Sequence, residues 1–94
     1  MDRPVPRDID FTLATEACEL VTGPRQRAYA HPSVNFGRIA KGWEMILGQP
    51  VTAEQVGLCM VVVKLAREIN AHSRDNLVDA IGYLLTTDAC REET

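Results

Sequence analysis

Two groups of side chains in this chain are suited to holding an anion. Arg25, Arg27, Tyr29 and His31 crowd a short segment between two amphipathic stretches. Unpaired backbone amides and the positive end of a helix dipole attract negative charge at such a helix start. Lys64, Arg67, His72 and Arg74 form the second group, and Asn35 and Tyr83 complete the candidate ligand set. The chemistry these types share is recognition of phosphate, with Tyr29 or Tyr83 available to stack on a base. Each has a plainer reading: Lys64 and Arg67 can pair with Glu68, Asp75 or Asp79 or extend their stems to water, and a lone turn histidine is usually just polar.

Four carboxylates have spacings that suit a metal ion. Glu16 and Glu19 stand at i and i+3, Asp75 and Asp79 at i and i+4, so each pair shares one side of a helix. Two facing helices could then offer oxygen ligands to Mg²⁺ or Mn²⁺, and such a metal could neutralise a triphosphate and activate water. Against this, Glu19 lies opposite the Leu13, Ala17, Leu20 stripe, and the two aspartates lie opposite Leu77, Ile81 and Leu84. In a monomer those positions form a solvated face.

The elements that must position these residues are helices. Leu13, Ala14, Ala17, Leu20 and Val21 recur at helical spacing from Asp8 or Asp10 to Val21, and Gly23-Pro24 supplies a stop in which the glycine is expected to take a left-handed cap. Ser33 offers the N-cap of a second helix with the stripe Phe36, Ile39, Ala40, Trp43, Ile46 and Leu47, closed by Gly48 with Pro50 beyond. Trp43 is expected in the core. Thr52 and Gln55 form a capping-box pattern for a third helix to about Asn70 that is apolar around most of its circumference. A helix of that kind is central to a bundle or buried in a subunit interface.

Ser73 is placed to cap a fourth helix from Arg74 to about Cys90, with Leu77, Val78, Ile81, Leu84 and Leu85 facing inward. Gly82 inside it costs about 1 kcal/mol against alanine, which points to close approach by another helix or a ligand ring. No useful stretch alternates with a period of two. The expected fold is an all-α, compact bundle of about four helices: residues 1–7 form an arm, 8–90 one helical domain, and 91–94 a frayed tail.

With 94 residues the chain buries a modest fraction of its surface, so self-association into a homo-oligomer is expected. Hydrophobic residues make up 46%, charged residues 24%, and the formal net charge is -3, so general affinity for nucleic acid is not expected. Cys18, Cys59 and Cys90 are odd in number and widely spaced, which fits neither a disulfide framework nor paired zinc ligands; they are expected reduced and largely buried. The first seven residues have no apolar run of a secretion signal, and the run 56–63 falls far short of the roughly 20 residues that cross a bilayer. A cytoplasmic protein, with no membrane partner, is the corresponding expectation. The Walker loop, GxGxxG, nucleophile elbow and CxxC patterns are absent.

Several strings also carry a family mark. Residues 16–25 (EACELVTGPR), then Tyr29-Ala30-His31-Pro32, Asn35-Phe36-Gly37-Arg38-Ile39-Ala40 with Trp43, Lys64-Leu65-Ala66-Arg67, and residues 74–83 (RDNLVDAIGY) together resemble a family of small phage and prophage proteins of unassigned function. More distantly, the chain is similar to the MazG-like all-α nucleoside triphosphate pyrophosphohydrolases, whose helices carry an ExxE pair and a later acidic pair around Mg²⁺. Glu16 and Glu19 match the first pair in form; Asp75 and Asp79 have DxxxD spacing where that family has ExxD, and a whole additional helix intervenes. The resemblance implies an oligomer with a nucleotide site.

Three functions are compatible with these features. Metal-activated water could attack a nucleoside triphosphate and release pyrophosphate; the protein could sequester a nucleotide, such as a host defence signal, unchanged; or it could be an interaction module acting on a host or phage protein.

Overall fold

A computed structural model describes residues 5–24 and 30–92 of the chain. Four α-helices run through them: α1 Thr12–Thr22, α2 Pro32–Leu47, α3 Ala53–Asn70 and α4 Arg74–Ala89. There is no strand among the described residues, and the fold is all-α. The candidate residues Arg25, Arg27 and Tyr29, part of the expected arm and the end of the tail lie outside the described residues.

The helix ends follow from local chemistry. At α3 the capping box is complete: Gln55 N–H donates to Thr52 Oγ1 at 3.0 Å and Thr52 N–H donates to Gln55 Oε1 at 2.9 Å. Gly48 ends α2 in the left-handed region at φ 69°, its N–H donating to Glu44 O at 2.8 Å. Three expected caps differ. His31, not Ser33, caps α2: Pro32 takes the first helical position, where its missing N–H is harmless, and His31 Nδ1 accepts from Ser33 N–H at 3.1 Å. Gly23 follows α1 in extended backbone at φ -76°, not left-handed. Ser73 occupies the N-cap of α4 without a side-chain cap bond, because the turn is tied instead by Glu68, whose Oε1 accepts the Ser73 N–H at 2.9 Å.

Packing centres on α4, which lies against α1 on one side and α3 on the other, while α2 leans mainly on α3. Of the two expectations for the third helix, a central place in the bundle or burial in a subunit interface, the first is not met within the chain, because α4 holds the centre. The residues of α4 that are buried are Asn76, Val78, Ala80, Gly82 and Thr87, mostly small, whereas Leu84 and Leu85 of the expected inward stripe are exposed. Small residues permit close helix approach, and two neighbours compete for the same pillar, so bulky leucines are displaced outward. On its α1 side, a Cβ at Gly82 would lie 3.4 Å from Val21 Cγ1. Toward α3 the approach is tighter: a Cβ at Gly57 would lie 1.9 Å from Thr87 Oγ1 and 3.2 Å from Phe36 Cε2.

Phe36, Ala40, Val56 and Cys90 form the buried cluster of α2, α3 and the end of α4, with Trp43, Ile39 and Tyr83 packed against it. Ile46 and Leu47 extend past that cluster and are exposed, as is Leu20 near the end of α1. Cys90 is buried as expected; Cys18 and Cys59 are exposed, since each falls on a helix face that no other element covers among the described residues.

Replacing Gly57 by alanine is expected to lower unfolding free energy by about 1–3 kcal/mol, the usual penalty for forcing a methyl into a packed contact. Chemical denaturation measures it. Adding Thr87→Ala, which removes the oxygen in the way, should return part of the loss.

Candidate functional site

The charges on α1 and α4 fold into a clasp. Arg74, in the first turn of α4, donates from Nη1 to Asp10 Oδ2 at 3.0 Å and from Nη2 to Glu16 Oε1 at 2.9 Å and Thr12 Oγ1 at 2.8 Å. Asp10 in turn accepts the Thr12 backbone N–H at 3.0 Å and the Thr12 hydroxyl. The Thr12 hydrogen bonds, with the Arg74 guanidinium beside them, hold the Asp10 carboxyl at about 2, well below the ordinary 3.8. The same carboxylates raise the Arg74 pKa further.

A second polar knot ties α3 to α4. Glu68 Oε2 meets His72 Nδ1, while Oε1 accepts from Ser73 N–H and from Asn76 Nδ2 at 3.2 Å. These bonds, His72 first, lower the Glu68 pKa. Asn76 is nearly fully buried and also donates to Ala71 O at 3.4 Å. Its only local signal is that of a polar residue in the first turn of a helix.

Between these knots and the Phe36 cluster lies a cleft of about 440 Å³, walled by all four helices. Asn35, Phe36 and Ile39 come from α2, Met60 and Lys64 from α3, Asp79, Gly82, Tyr83 and Thr86 from α4, and Leu20 and Val21 from α1. Helical spacing explains the polar members: Lys64 follows Met60 by one turn, as Tyr83 follows Asp79, so each pair projects from one face. Lys64 Nζ lies 2.9 Å from Asp79 Oδ2, with side chains 14% and 30% exposed. The Tyr83 ring tilts against Phe36 with centroids 6.3 Å apart, which fixes its plane beside the opening. Gly82 keeps the α4 wall free of a side chain, and Thr86 is occupied in bonding the Gly82 and Tyr83 carbonyls.

The structure thus unites Asn35, Lys64, Asp79 and Tyr83 and disperses the other described candidates. Arg67 is exposed outside the cleft lining, with no ion pair among the described residues. His72 and Arg74 serve the two knots, and His31 lines a separate depression with Glu54 and Cys90. Burial, then the Glu54 charge, pushes the Cys90 thiol up, so it stays protonated near neutrality.

Of the four carboxylates, Glu16 pairs with Arg74, Asp79 pairs with Lys64, and Glu19 and Asp75 are exposed outside the cleft. No three His, Cys, Asp or Glu side chains among the described residues are grouped so as to hold a metal ion. Sequence reasoning missed Asp10 and Thr12 in the clasp, although an acid two residues before a helix start was a legible signal. Met60 and Thr86 had none, being an ordinary apolar and an ordinary small polar helix residue.

A small all-α domain with a mixed polar and apolar cleft is the class of protein this geometry defines. The chain belongs to the family described as Domain of unknown function (DUF6378), whose profile matches residues 12–91. It is 34% identical over 75 residues to the Gene 55 protein of Mycobacterium phage L5, covering 78% of this chain and 48% of that protein. To the Gene 55 protein of Mycobacterium phage D29 it is 30% identical over 83 residues, covering 87% and 55% respectively. The chain therefore spans about half the length of these phage relatives. They agree with the resemblance to phage proteins of unassigned function. No solved structure matches the chain, and no helix among the described residues is long and apolar enough to cross a membrane.

The clasp sets a pH dependence. A carboxylate whose folded pKa is depressed stabilises the fold fully above its unfolded value and loses that contribution as pH falls through the folded value. For Asp10 the window runs from 3.8 down to about 2. Thermal melts across that window should show Tm falling with pH, and Asp10→Asn should have a lower Tm at neutral pH and a shallower decline.

Proposed function

We propose that the chain binds a small phosphate-bearing ligand of nucleotide type in the four-helix cleft. The observation that carries this reading is the convergence of Asn35, Lys64, Asp79 and Tyr83, from three helices, on one cavity. Lys64 supplies a cation that, largely shielded from water, interacts with phosphate more strongly than a surface lysine does. Tyr83 presents a ring of fixed tilt to a base, and Asn35 offers both donor and acceptor to a base edge. Asp79 neutralises Lys64 in the free protein, so a ligand phosphate takes over Lys64 while Asp79 turns to a ribose hydroxyl or a base amino group.

Holding the ligand intact is preferred to cleaving it. Pyrophosphohydrolysis of the MazG-like kind would draw on Glu16, Glu19, Asp75 and Asp79 around Mg²⁺ or Mn²⁺, and of these four only Asp79 lines the cleft, while Glu16 is held by Arg74. The relation to phage proteins supports a setting in an infected bacterial cell, where a protein that sequesters a nucleotide signal would blunt a host response.

The test is to incubate the full chain with a panel of nucleotides and cyclic nucleotides, with and without Mg²⁺ or Mn²⁺, and to chromatograph before and after heat denaturation. The expected result is a species that disappears and returns intact; new metal-dependent products would replace sequestration by hydrolysis, and no change for any species would overturn the reading. For a ligand so found, Lys64→Met should weaken binding about 10- to 100-fold, since a hydrogen bond to a charged group contributes roughly 1.5–3 kcal/mol.

A further inference from the structure

The outward face of α3 has no partner among the described residues. Leu58, Val62, Leu65 and Ile69 are all exposed there, at spacings of four, three and four, and Ile69 is 87% exposed. That is the seam of a coiled coil rather than the scattered apolar residues of an ordinary surface. Flanking them on one side, Cys59 and Ala66 are also exposed and uncharged, while Lys64 turns away into the cleft. At the amino-terminal end of the seam, Leu58 and Cys59 line a groove with Trp43, Leu47, Pro50 and Val51, of about 450 Å³.

We infer that this face binds a second copy of the chain, with the two α3 helices antiparallel about a two-fold axis between Val63 and Lys64. Two features select that occupant. The seam is self-complementary when reversed: Leu58 meets Ile69 of the partner subunit and Val62 meets Leu65 of the partner subunit, giving four layers over about 16 Å at 1.5 Å per residue. The protruding Ile69 at one end then falls where the groove beside Leu58 lies at the other.

Area is consistent as well. Stable interfaces take about 800 Å² from each partner. Leu47, Leu58, Val62, Leu65 and Ile69, at about 60–100 Å² each when fully buried, supply roughly half of that before the groove walls and backbone are added. Residues Cys59 and Ala66 are small, so the two backbones approach without a clash at the seam edges.

Sedimentation of the full chain across a concentration series tests this. A dimer in the micromolar range is expected, and Val62→Glu, at a position 63% exposed in the single chain, should weaken it about 100-fold or more by burying unpaired charge while circular dichroism stays unchanged. A chain that remains monomeric at several hundred micromolar, or a dimer indifferent to Val62→Glu, would overturn the inference. Orientation is read by mixing a Leu58→Cys chain with an Ile69→Cys chain, both carrying Cys18→Ser and Cys59→Ser. Disulfides between unlike chains support the antiparallel pairing, and disulfides between like chains contradict it.

Discussion

The contact between Gly57 and Thr87 is the constraint from which the rest of the arrangement follows. Thr87 Oγ1 sits where a Cβ on Gly57 would be, so α3 and α4 lie almost backbone to backbone at that end. Glu68 and Asn76 pin the other end of the same pair through the turn at 71–73. With α3 and α4 fixed at both ends, Lys64 and Asp79 in the middle have little choice but to meet. Helix α1 then docks on the remaining side of α4, led in by Gly82 and locked by Arg74, and α2 closes the cavity with Phe36 against Tyr83.

Electrostatics divides the labour among the polar residues. Charges that join helices are fully committed: Arg74 donates to two carboxylates and a hydroxyl, and Glu68 takes up a histidine, an amide side chain and a backbone N–H. Removing one partner would leave the other without compensation, so these groups are poorly placed to serve a ligand as well. Lys64 and Asp79 differ because their single contact borders an open cavity, and exchange of one anion for another at Lys64 leaves no charge unpaired provided Asp79 finds a donor. Apolar surface is divided in a similar way: the core uses Phe36, Val56 and small residues, while Leu58, Val62, Leu65 and Ile69 of α3 are left on the outside.

Much of the fold was legible because helix signals are local. Thr52 with Gln55, and Gly48 before Pro50, mark their boundaries through bonds made within a few residues. What could not be read was which helix neighbours which. The continuous apolar character of α3 pointed to a central position or to a subunit interface; a small-residue helix, α4, took the centre, and the apolar excess of α3 lies on the exterior of the single chain. Leu84, Leu85, Ile46 and Leu47 follow helical periodicity yet find no helix opposite them among the described residues. Ser33 lost the cap to His31 because Pro32 set the first turn one residue earlier. For the candidate site, Asn35, Lys64, Asp79 and Tyr83 were individually legible as residue types; their convergence was not, since it depends on a helix order that no local pattern encodes.

Amide and side-chain NMR of the full chain, titrated with nucleoside mono-, di- and triphosphates, tests the cleft most directly, because it reports location as well as binding. Saturable shifts concentrated at Asn35, Lys64, Asp79 and Tyr83, with the Arg74 clasp unmoved, are the predicted result. Saturable shifts confined to other surfaces, or none with any nucleotide at millimolar concentration, would contradict it.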